Sequence, residues 1–155
     1  MSCEPIVYTD ASYACHADYK SRSGTIIIMA GGVIGAYSHK QSCMSTSTTQ
    51  AELIALDEGV QRAMCVRNFL KHQGKDLGPT VVFQDNKATI KLVENGGPLS
   101  RCTRHINIKY FTIAEYIGNG NIKLEWCASE DMLADMLTKP LGGPQLINIV
   151  DKVLC

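Results

Sequence analysis

The sequence predicts an α/β fold built on a mixed five-stranded sheet, three antiparallel strands followed by two parallel ones, with helices on both faces. Three observations predict this fold class. Apolar and β-branched runs separated by turn residues crowd the first quarter of the chain. The rest alternates short strand-like runs with longer segments of helical periodicity. Strands that come first together and then alternate with helices favour a mixed sheet covered by helices.

The three opening strands follow from short apolar runs. Pro5 to Tyr8 predicts a buried strand with Asp10 at its end. Gly24 to Ala30 is strongly β-branched and predicts the second strand. Gly31-Gly32 is a turn signal, and Val33 to Ser38 returns as the third strand. We expect an antiparallel meander.

A long helix comes next. Ser47 with Gln50 matches a capping box, and so does Thr49 with Glu52. The apolar pattern from Ala51 to about Leu70 is helical. The later predicted elements are a strand at Val81–Phe83, helices over Lys87–Glu94 and Arg104–Ile117, a strand at Ile122–Trp126, a short helix holding Met132–Leu137 and a final helix over Gln145–Leu154.

The composition bounds the kind of molecule. Of the 155 residues, 45% are hydrophobic, which is enough for a real core and excludes a disordered chain. No internal repeat, linker or low-complexity tract is visible, so residues 1–155 are expected to form one domain. Lys plus Arg and Asp plus Glu number 15 each, which gives a formal net charge of zero. A stand-alone nucleic-acid binder usually has a basic excess. A neutral domain can still act on nucleic acid where metal ions or a neighbouring domain neutralise the phosphates.

The cysteines and the apolar segments indicate an intracellular protein. None of the seven cysteines forms a Cys-x-x-Cys pair, which argues against a zinc site and favours reduced, buried thiols. No apolar segment is long enough for a membrane span, and no signal peptide is visible at Met1. We therefore expect a cytoplasmic location and no membrane partner.

Four acids share one kind of setting. Asp10 is expected to end the first strand and Asp85 the fourth, and adjacent strands would place these side chains close together. Glu52 lies in the first turns of the long helix, and Asp135 lies on a later helix. Two metal ions about 3.5–4 Å apart need several carboxylates around them. Asp and Glu from two strands and two helices would supply such a site.

Each acid also has a structural interpretation. Aspartate commonly starts turns, as Asp10 could. Glu52 could cap its helix, and Asp135 could lie on a solvated helix face. Spacing alone leaves these alternatives open.

Short motifs from Tyr8 to Leu141 add a resemblance. They are Thr9-Asp10-Ala11, Ser21-Arg22-Ser23-Gly24, Gly31-Gly32-Val33-Ile34 followed by Ser38-His39-Lys40-Gln41, Thr49-Gln50-Ala51-Glu52-Leu53-Ile54-Ala55-Leu56, Asp85-Asn86, Arg104-His105-Ile106-Asn107-Ile108-Lys109-Tyr110 and Leu133-Ala134-Asp135-Met136-Leu137-Thr138-Lys139-Pro140-Leu141. Each motif alone is weak, but together they are highly specific. The chain resembles the ribonuclease H domain of copia-type LTR retrotransposon polyproteins.

The resemblance implies a ribonuclease H-like fold in which Asp10, Glu52, Asp85 and Asp135 are the catalytic, metal-binding acids. They would hold two Mg²⁺ ions, for which Mn²⁺ can substitute, one to activate a water and the other to stabilise the leaving 3′ oxygen. The implied reaction is endonucleolytic cleavage of the RNA strand of RNA·DNA hybrids during retroelement reverse transcription. The implied partners are the hybrid and the reverse transcriptase domain of the same polyprotein. We expect the isolated domain to be a monomer and the polyprotein to reside in virus-like particles.

Basic and polar residues near the predicted helix starts are candidate substrate contacts. Backbone N–H groups near Ser47 and Thr48 would hold phosphates at the start of the long helix. The other candidates are Arg22, Lys40, Asn86, Arg101, Arg104 and His105. For His105 we favour packing or capping near a helix start over phosphate contact, because only the family match indicates a functional role.

Three departures from the family pattern bear on activity. Ser12 stands where the family commonly has a second acid, and Arg104-His105-Ile106-Asn107 replaces Lys-His-Ile-Asp. Many ribonucleases H carry a histidine, thought to aid product release, in the loop before the last acid, and none lies between Trp126 and Asp135 here. Either Glu130 or Asp131 substitutes, or turnover is slow.

Two other functions stay open at this stage. A catalytically weak or domesticated ribonuclease H-fold module would bind nucleic acid or protein without cutting, although four intact acids argue against it. Another nuclease or integrase on the same fold is the other alternative.

Overall fold

A computed structural model describes residues 4–95 and 104–154 of the chain. Five strands and four α-helices lie in these ranges. The strands are β1 (Ile6–Ser12), β2 (Arg22–Met29), β3 (Gly32–Lys40), β4 (Thr80–Gln84) and β5 (Ile122–Trp126). The helices are α1 (Thr48–His72), α2 (Lys87–Glu94), α3 (Arg104–Gly118) and α4 (Gly143–Leu154), with short 3₁₀ turns at Ser129–Asp131 and Leu133–Leu137.

The strands form one sheet in the order β3-β2-β1-β4-β5. β2 pairs antiparallel with both β1 and β3. β4 pairs parallel with both β1 and β5. The predicted mixed sheet, three antiparallel strands followed by two parallel ones, is confirmed.

Helices cover both faces of the sheet because neighbouring strand residues point to opposite sides. Ile27 belongs to the larger apolar cluster, formed with residues of α1, α2 and α3. Its neighbour Ile26 packs on the other side with Leu133 of the second 3₁₀ turn and Ile149 of α4. None of the helices in residues 4–95 and 104–154 is long and apolar enough to cross a membrane.

The structure corrects the expected position of Asp10 within its strand. Asp10 does not end β1, because antiparallel pairing with β2 continues through Asp10↔Gly24 to Ser12↔Arg22. The parallel pairing of β1 with β4 stops earlier, at Tyr8↔Phe83. Asp10 therefore projects beyond the parallel part of the sheet while β2 holds its backbone rigidly.

Two further local expectations were wrong. The hairpin turn lies at Ala30-Gly31 and not at Gly31-Gly32, with φ of 52° and 83° at its two residues. The helix that carries Asp135 is a 3₁₀ turn, in which the Asp135 N–H donates to the Met132 carbonyl three residues back. A segment of five residues is short enough for this tighter winding.

Two glycines let elements approach the sheet closely. A Cβ at Gly24 would lie 2.7 Å from Thr138 Cγ2 and 3.0 Å from the Ala134 carbonyl oxygen, so glycine lets the second 3₁₀ turn lie against β2. A Cβ at Gly59 would lie 2.3 Å from Thr9 Cγ2, so glycine lets α1 lie close to β1. Both approaches flank Asp10 and fix the elements around it.

Candidate active site

Three carboxylates meet beside the C-terminal ends of β1 and β4, in the middle of the sheet. Asp10 lies in β1, Glu52 lies in the second turn of α1, and Asp85 directly follows β4. Each offers one oxygen, and these oxygens lie within 4.8 Å of one another. Asp10 and Glu52 are buried and Asp85 is half-buried. The sequence predicted that these acids would lie close together, and the structure brings them together.

The start of α1 leaves Glu52 available to the site. The Ser47 hydroxyl accepts from the Gln50 N–H at 3.2 Å and caps the helix. The capping box predicted Ser47 as the partner of the Gln50 side chain. In the structure this side chain accepts from the N–H and the hydroxyl of the preceding residue, Thr46, both at 2.9 Å. Glu52 instead faces the sheet and accepts from Gln84 Nε2 at 3.3 Å.

Asp10 is held by two residues that follow the second 3₁₀ turn. The Thr138 hydroxyl donates to Asp10 Oδ2, and Lys139 Nζ lies 3.3 Å from Oδ1. Burial raises the pKa of Asp10 to about 6, although the Thr138 hydrogen bond and the charge of Lys139 oppose the rise. The negative charges of Asp135 and Asp85 add to the rise. Asp10 is therefore mainly ionised at pH 7, at an energetic cost.

Glu52 is more strongly perturbed. Burial, followed by the charges of Asp10 and Asp85, raises its pKa to about 9, and the charge of Lys139 and the Gln84 hydrogen bond only partly oppose this. Without a bound cation, Glu52 keeps its proton at pH 7. Buried acids that repel one another in this way are what a cation site requires, because the cation removes the repulsion.

Asp135 lies outside this group of three. Its carboxylate is buried and pairs with Lys139 Nζ at 2.9 Å, so the ammonium lies between Asp135 and Asp10. The expectation of a solvated helix face is excluded for Asp135, because its side chain is only 7% exposed. Its expected role as a fourth metal ligand stays a prediction.

Residues at the end of β5 and in the first 3₁₀ turn fix Asp85. The Ser129 hydroxyl donates to Asp85 Oδ2 at 3.0 Å, and the indole N–H of Trp126 donates to the Asp85 carbonyl oxygen at 3.0 Å. Burial and then the charge of Asp85 raise the pKa of the nearby Cys127 thiol to about 12. Cys127 is therefore a neutral thiol at neutral pH and a poor nucleophile.

The predicted substrate contacts that the structure describes lie on several elements of the fold. Arg22 and Lys40 are paired across β2 and β3 at the sheet end where β1 finishes. Arg22 Nη1 donates to the Ser38 hydroxyl at 3.0 Å, and Lys40 pairs with Asp18 at 2.7 Å. Ser47 and Thr48 lie at the start of α1, as predicted.

The remaining candidate substrate contacts differ from one another in their structural surroundings. Asn86 caps α2, accepting from the N–H groups of Ala88 and Thr89. Arg104 is exposed at the start of α3. His105 Nε2 lies 3.5 Å from Cys43 Sγ, a contact that joins α3 to the loop after β3 and suits the favoured packing role. Arg101 lies outside the described residues.

The two acids expected to replace the absent loop histidine differ in their surroundings. Asp131 is exposed and pairs with Lys152 of α4 at 2.8 Å. Glu130 is exposed on the same 3₁₀ turn. Which of them, if either, takes that role stays a prediction.

The sequence interpretation missed the groups that contact the acids. Gln84 contacts Glu52, whereas Thr138 and Lys139 contact Asp10. The spacing of Asp135 and Lys139 was a usable signal, since an acid and a lysine four residues apart often pair on a helix. Gln84 carried no such signal, because its role depends on tertiary contact with α1.

The donor set fits a hard divalent cation. Three carboxylate oxygens within 4.8 Å of one another match the oxygen ligands that Mg²⁺ and Mn²⁺ prefer, and no sulfur or imidazole joins them in the described residues. The half-buried Asp85 leaves one side of the group open to solvent. The site is thus suited to bind a cation together with an anionic substrate.

Comparison with known proteins gives the relatives of this chain. No protein-family model matches. The chain is 34% identical over 139 residues to the retrovirus-related Pol polyprotein from transposon TNT 1-94 of Nicotiana tabacum, a match covering 88% of the chain. It is 29% identical over 140 residues to the transposon Ty1-NL2 Gag-Pol polyprotein of Saccharomyces cerevisiae, also over 88% of the chain. The matches span only 10% and 8% of these relatives' lengths.

Solved structures agree on the fold. LC11-RNase H1, isolated from compost, aligns with a TM-score of 0.66 and 17% identity over 88% of this chain and 93% of that one. Its complex with RNA/DNA hybrid aligns at 0.61 and 16%, over 87% and 94%. The protease-reverse transcriptase of prototype foamy virus aligns at 0.62 and 17%, over 87% of this chain and 20% of that one. The resemblance drawn from the motifs is confirmed: the chain has the ribonuclease H fold and is related to a segment of copia-type retrotransposon Pol polyproteins.

Proposed function

We propose that this chain is a metal-dependent endoribonuclease that cleaves the RNA strand of RNA·DNA hybrids during retroelement reverse transcription. The observation that carries the proposal is the meeting of Asp10, Glu52 and Asp85, whose oxygens lie within 4.8 Å of one another. The fold and the relationship to retrotransposon Pol polyproteins support the reaction class. A neighbour of the same fold has been solved with RNA/DNA hybrid, which supports the substrate.

The acids prepare the site for a divalent cation. Asp10, Glu52 and Asp85 would hold Mg²⁺ or Mn²⁺, and Asp135 would complete a two-ion site. When bound, these ions would supply the Lewis acidity that activates water and stabilises the leaving 3′ oxygen. Because the pKa of Glu52 is about 9 without metal, cation binding at neutral pH must release a proton from this residue.

The surroundings of the acids suit a phosphate backbone and not a base sequence. Arg22 and Lys40 place positive charge at the same end of the sheet as Asp10. The N–H groups at the start of α1, near Ser47 and Thr48, would hold a phosphate oxygen. Contacts of this kind read the shape of the hybrid and its 2′-hydroxyl groups. Arg101, Arg104, Asn86 and His105 complete the proposed contact set.

The proposed setting is the Pol polyprotein. The curated relatives are polyproteins about ten times the length of the match, and a structural neighbour carries a reverse transcriptase. We propose that a reverse transcriptase domain of the same polyprotein holds the hybrid, within cytoplasmic virus-like particles. With a net charge of zero, the isolated monomer should bind hybrid weakly and with strong salt dependence.

The test is cleavage of a labelled hybrid. The purified chain is incubated in Mg²⁺ with RNA·DNA hybrid, RNA duplex or DNA duplex, each labelled on one strand. We expect cuts in the RNA strand of the hybrid only, ending in a 3′ hydroxyl and lost in EDTA or in Asp10→Asn. Hybrid binding without any cleavage, at Mg²⁺ and Mn²⁺ concentrations up to saturation, would favour the non-cutting alternative.

A further inference from the structure

Lys139 places a positive charge inside the candidate metal site. Its Nζ lies 3.3 Å from Asp10 Oδ1 and 2.9 Å from Asp135 Oδ1. The two carboxylates are almost fully buried, with side-chain exposures of 1% and 7%, whereas the Lys139 side chain is 38% exposed. The lysine thus approaches the buried acids from the solvent side.

This ammonium supplies charge that a metal ion would also supply. Lys139 pairs with two of the four predicted ligands, Asp10 and Asp135. No other basic side chain in the described residues forms an ion pair with any of the four. A divalent cation binds carboxylate oxygens directly at about 2.0–2.6 Å. A cation at Asp10 and an ammonium at Asp10 Oδ1 would repel each other strongly at such separations.

The backbone around Lys139 is anchored independently of its amine. The Thr138 hydroxyl contacts Asp10, and the Lys139 N–H donates to the Asp135 carbonyl oxygen at 3.0 Å. Only the flexible lysine side chain has to move for the ammonium to leave. Loss of the amine alone should therefore leave the second 3₁₀ turn in place.

We propose that Lys139 is a stand-in cation, which holds Asp10 and Asp135 together when no divalent ion is bound and is displaced when one binds. The proposal rests on the proposed function, since it takes these acids to be metal ligands. Lys139 is on this view a positioning residue. It lowers the affinity for the divalent ion and limits charge repulsion in the metal-free protein.

Metal binding and melting of the variant Lys139→Met test the proposal. Mg²⁺ and Mn²⁺ are titrated calorimetrically into metal-stripped protein, and melting is measured with and without the ion. We expect Lys139→Met to bind Mg²⁺ on the order of tenfold more tightly than the parent, because a competing charge is gone. We also expect Lys139→Met to have a lower melting temperature than the parent in EDTA. Mg²⁺ should raise the melting temperature of the variant by more than it raises that of the parent.

Two variants serve as controls. Lys139→Arg keeps the charge and should keep an affinity close to that of the parent. Lys152→Met removes a lysine of similar exposure, 42%, that pairs with Asp131 at 2.8 Å. This change should leave the Mg²⁺ affinity unaltered, so a general effect of net charge would be seen in both Met variants.

A measurement on the parent chain covers the case in which Lys139→Met does not fold. Reductive ¹³C-methylation labels the lysine amines and keeps their charge, and the Lys139 resonance should shift on Mg²⁺ titration while that of Lys152 does not. Two results would overturn the proposed competition between Lys139 and the divalent ion while leaving the proposed function intact. One is Mg²⁺ binding by Lys139→Met that is equal to or weaker than that of the parent. The other is a Lys139 resonance that does not shift although the parent binds the ion. Absence of divalent binding by both parent and variant overturns both.

Discussion

Replacing Glu52 by glutamine should stabilise the metal-free protein, and the gain should grow with pH. The change keeps the size of the side chain, and a glutamine carbonyl can still accept the hydrogen bond from Gln84 Nε2. The pKa of Glu52 is raised from 4.5 to about 9. The folded protein therefore holds a proton that the unfolded chain releases above about pH 4.5.

The magnitude follows from this difference in proton binding. Because the folded pKa is raised, Glu52 opposes folding increasingly as the pH rises from 4.5 towards 9, and not at all well below 4.5. Its cost to folding is about 1 kcal/mol at pH 5 and about 3 kcal/mol at pH 7. Glu52→Gln removes this cost at every pH. Its unfolding free energy in EDTA should exceed that of the parent by about these amounts.

Urea unfolding in EDTA at pH 5, 7 and 8.5 measures the effect. Glu115→Gln, which changes an exposed acid on α3, is the matched control and should show little pH-dependent difference. Saturating Mg²⁺ should reduce the difference in unfolding free energy between the parent and Glu52→Gln, because the parent binds the ion more tightly. A gap that stays constant with pH, or a variant less stable than the parent at pH 8.5, would refute the reasoning.

Three further predictions follow from the site and its packing. Asp10→Asn should abolish cleavage without lowering the melting temperature in EDTA at pH 7, because burial disfavours the Asp10 charge more than Lys139 favours it; a clear drop measured by calorimetry would count against a metal-site role. Asp135→Asn should slow cleavage less than Asp10→Asn and be partly rescued by higher Mg²⁺, since Asp135 lies outside the group of three; equal, unrescued rate losses would make the two residues equally central. Gly59→Ala should destabilise the protein by about 1–3 kcal/mol in urea unfolding, because its Cβ would lie 2.3 Å from Thr9 Cγ2; Thr9→Ser should restore part of the loss, and an additive double variant would show that the clash is relieved elsewhere.

The sheet was predictable because its strands carry strong local patterns. The bounds predicted for α2, Lys87–Glu94, and for β5, Ile122–Trp126, match the structure. In the sequence, the turn-forming residues Asn95-Gly96-Gly97-Pro98 follow the predicted helix α2. Gly118-Asn119-Gly120-Asn121 likewise stands directly before the predicted strand β5. Local signals of this kind need no knowledge of tertiary contacts.

Elements whose limits depend on tertiary contacts were predicted less well. The β-strand of Asp10 continues to Ser12 because β2 pairs with it, which the polar residues after Tyr8 do not indicate. The Asp135 segment is 3₁₀ and not α-helical, and it packs on β2 only because residue 24 is glycine. Such limits are set by packing, which overrides local propensity.

The candidate site was predictable in its acids but not in its electrostatics. The motifs around Asp10, Glu52 and Asp85 indicated a shared site, and the structure brings the three together. The insertion of Lys139 between Asp10 and Asp135 depends on how the second 3₁₀ turn lies against the sheet. No linear pattern gives the pKa of Glu52, which follows from burial beside two other acids.

The central claim is that Asp10, Glu52 and Asp85 bind divalent cations, and anomalous scattering from Mn²⁺ tests it most directly. Crystals grown in Mn²⁺ should show an anomalous peak within coordinating distance of all three carboxylates, with Lys139 Nζ moved away from Asp10. A second peak beside Asp10 and Asp135 is expected when a hybrid with an uncleavable RNA strand is bound. Fully occupied Mn²⁺ elsewhere, with no peak at these three acids, would contradict the claim.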